Sequence, residues 1–492
     1  MRTSGILLHI SSLPSPYGIG TYGKSAYDFV DLLDETNQTY WQILPLGPTS
    51  YGDSPYQTFS AFANNPYFID LDILIKEKLL KKNEITDVVN DPMYVDYEQL
   101  YIKRYDALKQ AFNRFDQSDS DYQKFLKAQD FWLNDYALFM AVKATYDGKS
   151  WLYWDEDVRL RKPNTIEKLQ MELKDEIAFH QFLQFKADEQ WHALKKYANQ
   201  KGIKIIGDMP IYVSYDSSDV WANPKMFDLD EKNVPYHVAG VPPDNYAKDG
   251  QLWGNPLYHW GHLKDKNYQW WVDRVRASVA QFDMIRIDHF IGFVNYFSIP
   301  FADKTAKNGV WKKGPGYELF EVIKKELGEV NIIAEDLGAV TPEVVKVLDA
   351  TGYPGMKLTQ FGFNSIEDNN YLPHHYKQNV IAYTGTHDNF TTAAWFDELS
   401  PKALKNCLAY INCEDETKKV DALIKETLKC VADTVIIPMQ DYLNLGNEAR
   451  MNIPSTLGNN WVWRLKDGQI TKVIKNNIKT WTELYARSKK DK

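Results

Sequence analysis

The sequence predicts a closed α/β barrel interrupted by a helical insertion. Three observations carry that reading. Short apolar runs recur along the chain and end in polar or charged residues; several lead into stretches of helical character; and one long segment is almost free of glycine. At 492 residues the chain is long enough for several domains, or for one barrel with insertions.

The apolar runs, in order, are "SGILLHISS", "YWQILPLGP", "GIKIIGDMP", "FDMIRIDHF", "VNIIAEDLG" and "VIAYTGTHDN". Runs this apolar suit strands covered on both faces, as in a parallel sheet wrapped by helices. Six such units favour closure into a barrel over an open doubly wound sheet. The texture changes near residue 72. Between Asp53 and Lys201 the only glycine is Gly148. There "YEQLYIKRYDALKQAFNRF" and "IEKLQMELKDEIAFHQFLQFKADEQWHALKKYANQ" repeat apolar residues at three- and four-residue steps. Residues 1–75 therefore begin the barrel, 76–200 form a mainly helical insertion, and 201–492 complete the barrel.

Bulk composition excludes several functions. Hydrophobic residues make up 44% and charged residues 25%, as in an ordinary globular protein. A net charge of −9 argues against a nucleic-acid partner. No apolar run approaches the ~20 residues that span a bilayer, and "MRTSGILLHISSLP" lacks a signal-peptide core. Three cysteines, Cys407, Cys413 and Cys430, fit a reducing cytoplasm and no common zinc spacing. Abundant aromatics (15 Trp, 31 Tyr, 23 Phe) offer flat faces that suit sugar rings.

One stretch points elsewhere. "GIGTYGKS", residues 18–25, fits the phosphate-cradling pattern G-x-x-x-x-G-K-[ST]. That motif needs its strand to run directly into the first glycine. Here "GILLHI" ends at Ile10 and "SSLPSPY" intervenes, with Pro14 and Pro16 preventing strand pairing. The stretch reads instead as the loop after the first strand, with "KSAYDFVDLLDE" as the first outer helix.

Barrel active sites lie at the C-terminal ends of the strands. In "DMIRIDHF" the period of two puts Met284, Arg286 and Asp288 on one face and Ile285 and Ile287 on the other. The isoleucines pack outward; Arg286 and Asp288 point into the mouth. In "IIAEDLG" Glu335 shares a face with Ile333, opposite Asp336. In "AYTGTHDN" Thr384, Thr386 and Asp388 alternate onto one side, although parity weakens once a strand ends. Asp208 closes "IKIIGD", and His9, His289 and His387 stand near the mouth. A convergence of carboxylates around one Arg suits glycoside chemistry, which needs a nucleophile and a proton donor flanking one bond. Arg286 would keep Asp288 ionised, and crowding would keep Glu335 protonated. Metal chemistry is the weaker reading: "HWGH" at 259–262 and "HH" at 374–375 end no apolar run.

Six ordered blocks then bring a family into view: "LPLGPTSYGDSPYQTFSAFANNPYFIDL", "GDMPIYVSYDSSDVWANP", "GVPPDNYAKDGQLWGNPLY", "RIDHF", "AEDLG" and "THDN". Nearly end to end, the chain resembles the amylomaltases, the 4-α-glucanotransferases of glycoside hydrolase family 77 within the α-amylase superfamily. The resemblance implies a (β/α)8 barrel with inserted helical subdomains and no C-terminal β-domain, in a cytoplasmic enzyme that needs no cofactor or metal. It implies Asp288 as nucleophile, Glu335 as general acid and base, and Asp388 as the holder of the sugar 2- and 3-hydroxyls. Tyr56 would stack on the donor sugar with Ser54 nearby. Asp208, Gln251, Trp253, Arg286, His289, His387 and Asn460 would complete the substrate shell.

Residues 240–258 match the family's lid, with Tyr246 and Trp253 placed to cover sugars. An aromatic often follows "PPD" directly in the family; here Asn245 intervenes. The expected donors are malto-oligosaccharides and α-1,4-glucans, and the expected acceptors glucose or glucan. The rivals are an α-glucan hydrolase of the same superfamily, a P-loop nucleotidase and a non-catalytic glucan-binding protein.

Overall fold

The computed structural model describes residues 2–50, 52–86, 91–243 and 247–489. Eight parallel strands form the barrel: β1 (Thr3–Leu7), β2 (Tyr40–Gln42), β3 (Lys204–Pro210), β4 (Met284–Asp288), β5 (Ile332–Ala334), β6 (Gly355–Leu358), β7 (Val380–Tyr383) and β8 (Thr434–Pro438). Ladder pairing runs β6-β7-β8-β1-β2-β3-β4-β5. The seam between β5 and β6 is closed by the Ala334 N–H donating to the Pro354 carbonyl, 2.9 Å, and the Met356 N–H donating to Asp336 Oδ1, 2.7 Å. A Cβ on Gly355 would occupy the place of that Asp336 carboxyl. The six apolar runs are all strands. Two more, "GMKL" and "TVIIP", complete the eight; the first is too short and polar to stand out by composition.

Strand interiors are apolar because both faces are covered: Ile6, Ile205, Ile206, Ile285, Ile333, Val435 and Ile437 have no solvent exposure. Polar groups inside the barrel are bonded, as burial demands. Tyr383 of β7 donates its hydroxyl across to Gln42 Oε1 of β2, 2.9 Å.

The insertion lies between β2 and β3. Its own small core gathers Tyr122, Phe125, Leu133, Tyr136 and Phe185 beside Ala63. Helix Lys174–Gln200, 27 residues long, serves both bodies. Its Phe182 and Phe185 pack on Phe115 of the insertion. Further along, Trp191 Nε1 donates to the Gln281 carbonyl and the Tyr197 hydroxyl to Asp31 on the first barrel helix. The helical block therefore runs into the barrel wall without a linker.

The segment 240–258 takes in two strands. His237–Val241 and Gln251–Pro256 pair antiparallel, and Asn295–Pro300 and Val310–Lys313 extend them into a four-stranded sheet. This sheet grows from the connections after β3 and after β4. Asn245 and Tyr246 lie outside the described residues. No helix among the described residues is long and apolar enough to cross a membrane.

The phosphate-loop look-alike has a packing explanation. A Cβ on Gly20 would drive into the Ile10 carbonyl, and one on Gly23 into the Asp70 carboxylate. The Gly20 and Tyr22 N–H groups donate to Ser11 and Phe68 carbonyls, and Thr21 donates its hydroxyl to Asp70 Oδ2 at 2.6 Å. An internal carboxylate thus lies against the turn where a phosphate would have to sit. Lys24 begins the helix Lys24–Glu35 and points to solvent, paired with Asp28. Gly20→Ala is expected to lower stability by about 3 kcal/mol, the upper range for overpacking, because the obstacle is backbone. Lys24→Ala should stay within about 0.5 kcal/mol of the parent. Denaturant midpoints for both variants check this, and equal midpoints would refute it.

Candidate active site

Strand β4 builds the floor of the site. Ile285 and Ile287 are buried outward, and the alternate residues face inward. Arg286 Nη1 donates to Asp208 Oδ2 at 2.6 Å, and Nη2 donates to Asp288 Oδ1 at 2.8 Å. The Arg286 and Asp208 side chains are buried, whereas that of Asp288 is 27% exposed and open to the cleft. Burial alone would lower the guanidinium pKa; the two carboxylates outweigh it and hold the charge in place. Burial pushes the Asp208 carboxyl up, against the pull of Arg286.

The chain kinks immediately after β4. His289 adopts the left-handed conformation, φ 52°, uncommon for a residue with a side chain and a mark of functional sites. The kink turns its N–H onto Glu335 Oε2 at 2.6 Å, while the Leu337 N–H reaches Oε1 at 3.2 Å. Burial, and next the charge of Asp288, push the Glu335 carboxyl up to about 8. It therefore carries a proton at neutral pH. The His289 ring is neutral, since burial lowers its pKa to about 4, and its Nε2 is buried without a partner among the described residues. Trp253 stands edge-on to that ring, centroids 4.8 Å apart, and its Nε1 donates to Gln251 Oε1 at 3.1 Å.

The opposite wall comes from the loops after β2, β7 and β8. Ser54 Oγ accepts the Tyr56 N–H, and the Tyr56 hydroxyl donates to Asp208 Oδ2 at 2.8 Å. The same hydroxyl lies 2.8 Å from His387 Nε2, with the two rings stacked. His387 Nε2 is 3.3 Å from Asp388 Oδ2, and Asn452 Nδ2 donates to Asp388 Oδ1 at 2.6 Å. Burial opposes the charge of Asp388, but His387, Asn452 and Arg286 prevail and hold its carboxyl well below the usual range. His9 lies behind, accepting the Leu44 N–H; burial, then His387, lower its pKa to about 3.

The residues anticipated from sequence meet here with few exceptions. Asp208, Arg286, Asp288, His289 and Glu335 form one side, and Tyr56, His387 and Asp388 the other. Asn460 accepts from the Ile453 N–H and donates to Thr456, so its side chain ties down its own loop. Thr384 is bonded to Asp441, and Thr386 to Asn389. The "HH" pair stands exposed, His375 Nε2 lying 2.6 Å from Asp368 Oδ1.

Three contributors escape sequence reasoning. Asn452 holds Asp388; Arg450 donates to the Asp388 and Asn452 carbonyls and covers Phe390; Trp461 packs on Tyr56 and His387. All three follow β8, and "TVIIP" read as a strand would have directed attention to its loop.

Comparisons with known proteins agree with this geometry. The family model for 4-alpha-glucanotransferase matches residues 8–471. A 4-alpha-glucanotransferase of Clostridium butyricum is 48% identical over 98% of this chain and 100% of its own length. The structure of an amylomaltase from Streptococcus agalactiae in complex with acarbose superposes with a TM-score of 0.97 at 41% identity, covering 99% of this chain and 100% of that one. An amylomaltase from Corynebacterium glutamicum, 19% identical, shares the fold with a TM-score of 0.77 over 100% of this chain and 75% of its own. On the match of sequence, barrel and length, the chain belongs to the 4-alpha-glucanotransferase family of enzymes.

Proposed function

We propose that the cleft transfers a segment of an α-1,4-glucan to the 4-hydroxyl of an acceptor glucose or glucan by a retaining double displacement. The observation that carries this mechanism is the pairing of a carboxyl protonated up to about pH 8, Glu335, with a carboxylate gripped by Arg286, Asp288. These are the two roles a retaining enzyme requires. Asp288 attacks the anomeric carbon as Glu335 gives its proton to the departing glycosidic oxygen. The β-glucosyl ester that forms is opened by the acceptor 4-hydroxyl, whose proton returns to Glu335.

Asp388 accepts hydrogen bonds from the 2- and 3-hydroxyls, strengthening as the ring flattens towards the oxocarbenium geometry. The unpartnered His289 Nε2 is available to a sugar hydroxyl, and Tyr56 and Trp461 offer a face to the ring. The acarbose complex of the Streptococcus agalactiae relative supports malto-oligosaccharides as the ligand class. Transfer over hydrolysis rests on keeping water from the ester, a role we assign to the hairpin bearing Trp253. The free thiols of Cys407, Cys413 and Cys430 support a reducing, cytoplasmic setting.

With maltotriose, chain-length analysis is expected to give glucose and longer oligosaccharides at a constant reducing-end count. A count that climbs with time would instead identify a hydrolase. Asp288→Asn should abolish turnover while the thermal transition survives, and substantial residual transfer would move the nucleophile elsewhere. Glu335→Gln should lower kcat/KM by about 10²–10⁴-fold. A general acid with a raised pKa is competent below that pKa and fails above it. Activity of the parent enzyme should thus decline as pH rises through about 8, a limb that Glu335→Gln removes. A pH–rate profile in which the limb persists in the variant would contradict the assignment.

A further inference from the structure

The histidine pair His374 and His375 ends no apolar run and takes no part in the cleft, yet the fold gathers it with a carboxylate. Both lie with Asp368 on the connection 363–379 between β6 and β7. One ligand atom from each falls within 4.8 Å of the other two. His375 Nε2 is 2.6 Å from Asp368 Oδ1, and His374 Nε2 is 3.9 Å from the same oxygen. A tetrahedral ion bound at about 2.0–2.1 Å sets its ligands about 3.3 Å apart. The two separations bracket that value, so small rotations of exposed side chains suffice to reach it.

Three features set this trio apart from a chance surface pair. Neighbouring side chains of a 3-10 turn diverge by about 120°. The rings of His374 and His375, in the turn Pro373–His375, nevertheless stand 4.2 Å apart and both reach Asp368. His374 Nδ1 lies 2.8 Å from the Tyr410 hydroxyl, on the helix Pro401–Tyr410. A phenolic oxygen that accepts from Nδ1–H leaves the Nε2 lone pair turned to the carboxylate, the outer arrangement of a metal-bound histidine. The backbone beneath the ligands is fixed, while the side chains are free. Asn369 donates its amide to the Gly362 carbonyl at 3.1 Å and accepts the Tyr371 N–H at 2.9 Å. The buried Tyr376 donates its hydroxyl to the Tyr371 carbonyl at 2.9 Å. The Asp368, His374 and His375 side chains are 74%, 51% and 36% exposed, which gives an ion an open approach.

We propose that Asp368, His374 and His375 form a zinc site, with water completing the coordination. Two imidazoles and one carboxylate favour zinc over calcium and magnesium, which take oxygen ligands. Zinc imposes no geometry through its d electrons, which suits ligands on a surface connection. The ion replaces the proton shared by His375 and Asp368 and joins residue 368 to the turn 373–375. It thereby braces the connection whose Tyr371 ring faces the Lys357 ammonium of β6, 4.8 Å away. Among the described residues, none of the three ligands bonds to a group of the cleft. Occupancy is therefore read in stability, and the site is independent of the reaction assigned to the cleft.

The test is calorimetric titration of the chelator-treated full chain with zinc chloride alone. The parent should bind one zinc per chain, and calcium or magnesium chloride should give no binding. His375→Ala and Asp368→Ala should each abolish that site. Tyr410→Phe keeps all three ligands and loses only the oxygen behind His374, so zinc affinity should fall by about 10–100-fold. Zinc should raise the Tm of the parent and leave that of His375→Ala unmoved. Without zinc, His375→Ala should match the parent in Tm and in turnover of maltotriose, since an exposed pair contributes little. Absence of zinc binding by the parent would overturn the proposal. So would a site that survives both ligand variants, or one lost instead in His262→Ala or Cys413→Ser, because either result places the ion elsewhere.

Discussion

The buried guanidinium of Arg286 is the constraint around which the cleft is arranged. A charge this deep is stable only with partners of opposite sign and good geometry. It has two, Asp208 on β3 and Asp288 on its own strand. Asp208 in turn accepts from Tyr56, which reaches His387, which neighbours Asp388. One charge therefore fixes side chains from the connections after β2 and β7 relative to two adjacent strands. The carboxyls differ in their partners. Asp288 lies in the direct grip of Arg286, whereas Glu335, held by backbone N–H groups, feels mainly burial and the neighbouring Asp288. Like groups in different surroundings thereby take distinct chemical roles.

How much of this was legible beforehand follows from periodicity. Asp288 and Glu335 close apolar runs, so the two-residue repeat of a strand aims them at the mouth whatever the tertiary detail. Asp388 sits five residues beyond the last residue of β7, where the repeat weakens, and family likeness had to supplement the alternation. Asn452 and Trp461 carried no pattern at all, because their loop is positioned by the Trp461 N–H to the Met451 carbonyl within it and by long-range bonds such as Arg464 to the Leu13 and Ser15 carbonyls. The segment 240–258 looked like an irregular loop because Gly and Pro are frequent in it. It became a hairpin because Asn295–Pro300, distant in sequence, supplies a partner strand.

"GIGTYGKS" shows the converse. Its glycines are required, but by the Ile10 carbonyl and the Asp70 carboxylate rather than by a ligand. A local pattern cannot distinguish a backbone that must approach phosphate from one that must approach its own chain. Asp70, far along the sequence, decides the matter by caressing neither solvent nor ligand: it accepts from Thr21 and caps helix Leu71–Lys76.

The seam of the barrel has its own bearing on durability. Strand β5 is three residues long, and one ladder bond with one carboxylate-to-amide bond join it to β6. Glu335 is the next residue. Its neighbour Asp336 turns to the other face and fastens the joint, so adjacent carboxyls divide labour between reaction and assembly. The proton carrier is mounted on the least reinforced stave of the barrel. Loosening there would misplace Glu335 while the rest of the molecule stays folded, so a local opening at this joint would cost activity without global melting.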